Sequence, residues 1–278
     1  MSSTTLRRLA TSAATHAVLI AFAAVALVPL YFVFLVAVKS NVETTLSPLA
    51  LPQHWQFSNF KDALVGAHMS QFLWNSALVT VPALALVLST SSLAGYALAR
   101  LAVPLPRVVS LAFIAGLAVP SISIAVPLYY TVRSMGLLDT RGGLILAESA
   151  QALPIAVFIM RAAFRDLPGE LRDAALVDGG GELTSFLRVM LPLARSAVVA
   201  VSVLTFLTVW NDYLIPLILI NNNDLRTLPL GLTYLQGKYV TNYALVAAGT
   251  LLTALPSIAI YAVLQRQFLR GVVQGSIR

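Results

Sequence analysis

From position 9 to position 38 the chain has no Asp, Glu, Lys or Arg. A helix needs roughly 20 apolar residues to cross a bilayer, so this run is long enough to be a span. Arg7 and Arg8 precede it as the basic residues of a signal peptide would. The run is nevertheless too long for a signal-peptide core, so an uncleaved first membrane helix is expected. The rest of the chain agrees. It has 278 residues, 58% of them hydrophobic and only 10% charged, and a mean hydropathy of +0.84. Soluble domains carry about 25% charged residues, so this is the composition of an integral membrane protein.

Five further segments qualify as spans, giving six at about 16–38, 72–99, 108–130, 142–163, 196–220 and 243–265. Sorting the Arg and Lys residues by alternate connections orients them. One side holds Arg7, Arg8, Arg100, Arg107, Arg161, Arg165, Arg172, Arg188, Arg195, Arg266, Arg270 and Arg278. The other holds Lys39, Lys61, Arg133, Arg141, Arg226 and Lys238. The richer side is expected to face the cytoplasm, which places both termini inside. The expected fold is an all-α integral membrane bundle, read as a single transmembrane domain over 1–278. Its longest outer connection, 39–71, holds a polar-aromatic stretch in which Trp55 and Phe57 suit the headgroup region.

Several chemistries are excluded. Cysteine is absent, and His16, His54 and His68 lack metal-ligand spacing, so no metal is expected. Gly237-Lys238-Tyr239 lacks the upstream Gly and the following Ser or Thr of a phosphate-cradling loop. The net charge of +7 belongs to membrane topology, and no nucleic-acid partner is expected.

The cytoplasmic connection between spans four and five, residues 168–192, is polar and helix-forming. Asp166 and Pro168 read as a helix start. Leu171, Ala174 and Ala175 share a face, and the two alanines leave it low enough for close approach. Asp178-Gly179-Gly180-Gly181 breaks the helix, because glycine readily supplies positive φ. A second amphipathic helix follows, with Leu183, Phe186, Leu187, Met190 and Leu191 at helical spacing, before Pro192. Periodicity leaves two readings open: a spacer lying on the membrane, or a socket for a soluble partner.

Asp173-Ala174-Ala175, then Gly179, then Val189-Met190-Leu191-Pro192 resembles the cytoplasmic signature of permease subunits of bacterial binding-protein-dependent ABC importers. Asp173 stands where that family usually has Glu, and Gly180 where Ala is usual, a change expected to loosen the helix break. Trp210-Asn211-Asp212-Tyr213, Pro216-Leu217 and Thr227 to Leu232 are similar to the carbohydrate branch, in particular its smaller maltose-type permease. So are Asn75-Ser76, Gly95-Tyr96-Ala97-Leu98-Ala99-Arg100, and the tail Gln265 to Gly271 with Gly275. The resemblance implies a type I importer permease fold in the bacterial inner membrane. It implies a coupling helix gripped by a cytoplasmic ATPase, a role carried onto Glu170, Asp173, Ala174, Ala175, Asp178 and Gly179, with Leu191 and Pro192 closing the segment. The tail at 266–278 would reach the ATPase dimer, or would pair with anionic lipid. Implied partners are a second homologous permease, two ATPases that bind ATP and Mg, and an extracytoplasmic solute-binding protein. The chain itself is then not an enzyme and holds no cofactor.

Acidic residues inside a membrane are costly and point to a polar cavity. Glu148 in span four and Asp212 in span five are such residues, and Gln151, Trp210, Asn211 and Tyr213 complete a candidate sugar path. Asp212 and Asn211 satisfying each other, or a neighbouring helix, is the competing reading. Pro120, Ser121, Ser123 and Pro127 read as a kink in span three, Gly95 and Ala99 as helix packing, and Tyr96 as interfacial. Permeases of this kind also carry glycerol-phosphate or polyol solutes. An ion-coupled secondary transporter would need inverted repeats and midplane charge pairs, and an intramembrane hydrolase a catalytic set; the sequence has neither.

Overall fold

The computed structural model describes residues 3–236 and 241–276, with side chains at 3–11, 13, 234 and 266–276 outside the description. Helices follow one another along the described chain: α1 (Ser3–Ala37), α2 (Asn41–Leu46), α3 (Ser58–Lys61), α4 (Met69–Arg100), α5 (Pro106–Ala118), α6 (Ala125–Ser134) and α7 (Arg141–Asp166). Then come α8 (Gly169–Val177), α9 (Glu182–Ser185), α10 (Leu191–Leu193), α11 (Arg195–Asn211), α12 (Leu214–Leu219), α13 (Leu228–Gly231) and α14 (Tyr243–Ser276). The Lys238 tripeptide and the side chains of the tail at 266–278 lie outside the described residues.

Four helical stretches are long and apolar enough to cross a membrane: Ala14–Ala37, Met69–Arg100, Arg141–Asp166 and Tyr243–Gln265. They match expected spans one, two, four and six. Two bent helix pairs, Pro106–Ala118 with Ser121–Ser134 and Glu182–Leu193 with Arg195–Asn211, make up to six if each pair is counted as one span. Span three is a broken element, with α5 and the stretch Ser121–Ser134 meeting at 100°, a larger departure than the expected kink. Val119 and Pro120 are extended there, and Gln151 Nε2 donates to Ser121 Oγ at 2.9 Å just after the break. Span five stops at Asn211, short of the expected 220. Asp212 is extended, and its Oδ1 accepts from the Leu214 amide at 2.8 Å, a side-chain turn that ends one helix and starts the next. At the other end of α11, the stretch Glu182–Leu193 meets it at 77°.

The chain packs as two compact units, 1–69 with 234–252 and 70–233 with 253–278. In the first, the connection after α1 is an ordered cap. Lys39 is fully buried, and its ammonium donates to the carbonyls of Ser47 at 2.9 Å, Pro48 at 3.1 Å and Ala50. A buried ammonium needs such acceptors. Asn59 Nδ2 donates to Ala37 O and Lys39 O, and the Asn41 side chain accepts from the Tyr243 amide. Trp55 and Phe57 stack on each other and stay exposed.

In the second unit α7 is central and packs on α5, α11 and α12. Half of its apolar window is buried, against 6% for the window in α1. Two core clusters flank it. One joins Val87, Tyr96, Met160, Phe164, Phe186 and Met190; the other joins Val79, Leu144, Val209, Ile215, Leu219 and Leu230. Helix α4 lies close on α7 because residue 95 is glycine. A Cβ there would sit 2.7 Å from Met160 Cβ and 2.8 Å from the Arg161 amide nitrogen. This bears out the packing reading of Gly95.

Candidate functional site

Two groups of residues carry functional chemistry, the segment 166–192 and the carboxylates of α7 and the α11–α12 break. Asp166, expected to start the coupling helix, is instead the last residue of α7. Leu167 and Pro168 are extended, and α8 begins at Gly169 with no side-chain cap. Glu170 in its first turn complements the positive end of the helix.

No residue of α8 is buried. Glu170, Asp173, Ala174, Val177, Asp178 and Gly179 are exposed, and Ala175 is half-buried. Soluble helices bury one face fully, and α8 does not, so its outward face, with Glu170, Asp173, Ala174 and Val177, is open for a partner. Its end is set by glycine chemistry. The Gly179 amide donates to Leu176 O at 3.1 Å and the Gly180 amide to Ala175 O at 3.0 Å, with Gly179 at φ +83°. These two bonds are the Schellman closure, in which the residue after the cap takes a left-handed conformation. A Cβ at Gly180 would lie 2.7 Å from Ala175 O. Glycine at 180 therefore tightens this break, contrary to the expected loosening. Leu191 is half-buried and Pro192 exposed in α10, where the chain turns toward α11.

The second helix is not the amphipathic rod that its spacing predicts. Residues Phe186–Met190 form a wide π turn between α9 and α10. Phe186 and Met190 enter the core, while Leu183 and Leu187 turn outward and, with Leu191, Ala85, Leu88 and Leu93, line an open apolar groove.

Four residues outside the expected set hold α8 in place. Arg172 bonds Glu182 through both nitrogens of one edge, Nε to Oε2 at 3.2 Å and Nη2 to Oε1, and Arg172 Nη1 also meets Asp173 at 3.1 Å. The hydrogen bond from Arg172 holds the Glu182 carboxyl below its ordinary value, and the same bond raises Arg172. Tyr96 Oη donates to Glu182 Oε2 at 2.9 Å. Arg100 donates to the carbonyls of Phe164, Arg165 and Leu167. Tyr96 is buried, not interfacial. Its partner is 86 positions away, which no local pattern reports.

The candidate path is only partly assembled. Glu148 is buried on α7 and interacts with the Asp212 carboxylate; Glu148 Oε2 and Asp212 Oδ2 are buried without a hydrogen-bond partner. Gln151, one turn along α7, has its Oε1 in the same condition. Three acceptors without donors can receive hydroxyl hydrogens. Trp210 and Asn211 are bonded within the chain. Trp210 is buried, stacks on Phe206 at 5.3 Å, and its Nε1 donates to Thr253 O. Asn211 Nδ2 donates to Leu207 O and its Oδ1 accepts from Ser257 Oγ. Tyr213 is exposed.

At the opposite end of this unit, Asn75 and Ser76 tie down the stretch 224–228. Asn75 Nδ2 donates to Asp224 O at 2.7 Å and Arg226 O at 3.0 Å, and its Oδ1 accepts from Arg141 at 2.9 Å. Ser76 Oγ accepts from the Leu228 amide at 2.7 Å. Asp139 Oδ1 accepts from the amides of Asn221 and Asn222, both at 2.9 Å.

The pattern of the family described as binding-protein-dependent transport system inner membrane component matches residues 91–272. The diacetylchitobiose uptake system permease protein NgcG of Streptomyces coelicolor is 37% identical over 96% of this chain and 89% of its own length. The lactose transport system permease protein LacG of Rhizobium radiobacter is 34% identical over 80% of each chain. A crystal structure of a bacterial ABC transporter involved in the import of the acidic polysaccharide alginate has a chain of the same fold. Its TM-score is 0.81 at 22% identity, covering 96% of this chain and 99% of that one. With four apolar spans and two bent apolar pairs, an exposed helix between α7 and α11, and these likenesses over nearly its whole length, the chain belongs to the inner membrane components of binding-protein-dependent ABC transport systems.

Proposed function

We propose that the chain is the permease subunit of an ATP-driven importer that brings a mono-, di- or oligosaccharide into the cytoplasm. It works as a single transmembrane domain with both termini inside, beside a second homologous permease, two ATPases and an extracytoplasmic solute-binding protein. ATP and Mg are held by the ATPases. The observation that carries this reading is α8, a helix with no buried residue, closed at Gly179, presenting Glu170 and Asp173 outward. A short helix seated in an ATPase cleft transmits closure of the ATPase pair to the membrane helices as rigid-body motion. Asp173 would pair with a basic ATPase residue, Ala174 and Ala175 allow close fit, and Leu191 and Pro192 pass the motion toward α11. The names of the relatives support a sugar. The buried acceptor oxygens of Glu148, Gln151 and Asp212 suit the hydroxyl hydrogens of a sugar.

The test is reconstitution in liposomes with the ATPases and the binding protein. ATP hydrolysis stimulated by sugar-loaded binding protein, with sugar uptake, is expected. Uptake that proceeds without a nucleotide-hydrolysing partner would sink the reading. Asp212→Ala tests the path: lower apparent affinity or rate is expected, and unchanged uptake would leave Asp212 as the turn that ends α11.

A further inference from the structure

We propose that Tyr96 and Arg100 of α4 are positioning residues that latch the coupling segment to α4, so that both move as one body when the ATPase drives α8. The inference rests on the coupling role proposed above. It starts from a mechanical problem. Helix α8 buries no residue fully and packs chiefly on the short stretch that follows it, Glu182–Met190, so its packing ties it to that stretch and not to a span. It joins α7 through Leu167 and Pro168, both extended, a link with no helical bonds across it. Force applied to α8 would turn this link before it moved a span, unless α8 were held elsewhere.

The motif Gly95-Tyr96-Ala97-Leu98-Ala99-Arg100 supplies two holds. Arg100 spans the link. Its guanidinium takes the Phe164 carbonyl at 3.0 and 2.7 Å, Arg165 O at 3.4 Å, and Leu167 O. These are carbonyls that a helix end leaves without partners, and one side chain gathers them. Arg100 Nη1 would also lie 3.6 Å from a Cβ at Gly169, so the guanidinium sits at the first residue of α8. Tyr96, one turn earlier on the same face of α4, brackets α8 from both sides in sequence. Its ring lies 5.5 Å from Phe164, before α8, and 5.1 Å from Phe186, after it. Its hydroxyl reaches Glu182, which grips Arg172 on α8 itself. The half-buried Arg172–Glu182 pair alone would be weak, since solvent still reaches both side chains. Anchoring it to a buried tyrosine on a long helix makes it a fixed point, because a close-packed aromatic core does not deform continuously. Gly95 places α4 on α7 at the same level, so the latch closes on a rigid base.

The experiment reads sugar imported per ATP hydrolysed in the reconstituted complex. Tyr96→Phe keeps the ring and removes the hydrogen bond; Arg100→Gln keeps the length and removes most donors. ATPases are expected to copurify as in wild type and hydrolysis to persist, while transport per ATP falls about five-fold or more. The Tyr96→Phe/Glu182→Ala double variant is expected to lose no more than Glu182→Ala alone, since both break one chain of bonds. Unchanged transport per ATP in both single variants overturns the latch, as do additive losses in the double. A parallel loss of ATPase binding also overturns it, because the residues would then serve docking. If Arg100→Gln does not assemble, the near-isosteric Tyr96→Phe and the double variant decide. Failure of the coupling role itself shows differently: wild-type chain would then not bind the ATPases or not couple hydrolysis to uptake, and the latch would fall with it.

Discussion

At the end of the second unit that carries Asn75 and Asp139, side chains hold loops by their backbone. Asn75, Ser76 and Asp139 bond amides and carbonyls of residues 221–228. At the end that carries Tyr96 and Arg100, the contact that reaches α8 runs from side chain to side chain, through Tyr96, Glu182 and Arg172, and α8 itself stays open. The first end is self-contained. It bonds the backbone amides and carbonyls of a loop. The second end is built around a face of α8 that stays exposed among the described residues. The difference separates a frame from a handle: one end needs fixed loops, and the other needs a helix that is rigidly held and free to be gripped.

Substitutions should reveal this contrast. Gly95→Leu is expected to have the largest effect. Its side chain would drive into Met160 and the Arg161 backbone, and overpacking of this kind costs about 1–3 kcal/mol. Lower thermal stability in detergent and loss of transport should follow, whereas intact melting would show that α4 and α7 do not approach so closely. Asn75→Ala comes next. It leaves two carbonyls and the Arg141 guanidinium short of partners, about 1–3 kcal/mol. A lower melting temperature with ATPase binding unchanged would mark that end as frame; lost ATPase binding would erase the contrast.

Gly179→Val should have the reverse profile. A β-branched residue at φ +83° costs about 1–2 kcal/mol, locally, at the end of a helix with nothing buried. Melting should barely move, while hydrolysis becomes uncoupled from uptake. Normal docking and uptake in that variant would count against the coupling role. The smallest effect is on pH. Glu182 is held below its ordinary value by Arg172, so its contribution is present above the usual carboxylate range and is lost as pH falls through the lowered value. Arg172 is raised, so its charge persists throughout that range. With Tyr96 and Asp173 the only other ionisable groups bonded to this pair among the described residues, the protection of amides in 169–185, taken relative to the intrinsic exchange rate at each pH, should fall at acid pH in wild type. It should do so much less in Glu182→Gln.

The spans were legible because hydropathy sums over a window, and a bilayer demands a fixed length of apolar chain. The same summation hides direction. Residues 106–134 are as apolar bent by 100° as they would be straight, so the break after Ala118 left no mark in the average. Asp212 looked like an intramembrane acid because Leu214 to Ile220 continue the apolar run; its turn onto the Leu214 amide ends the helix there. In the coupling segment Gly179 was readable, since few residues but glycine take positive φ. Asp166 was not, because an acid suits both a helix start and an exposed last turn. Arg172, Glu182, Tyr96 and Arg100 escaped because their meaning lies in pairings across up to 86 positions.

The most direct measurement uses the absence of native cysteine. Val177, 87% exposed on α8, is replaced by cysteine as the single thiol in the chain. The account requires that a membrane-impermeant maleimide label Val177→Cys in inverted vesicles and not in right-side-out ones. A photoactivatable maleimide at that thiol should cross-link to the ATPase subunit of the transporting complex. Labelling from the outside, or a complex that transports sugar while this thiol never cross-links to the ATPase, would contradict it.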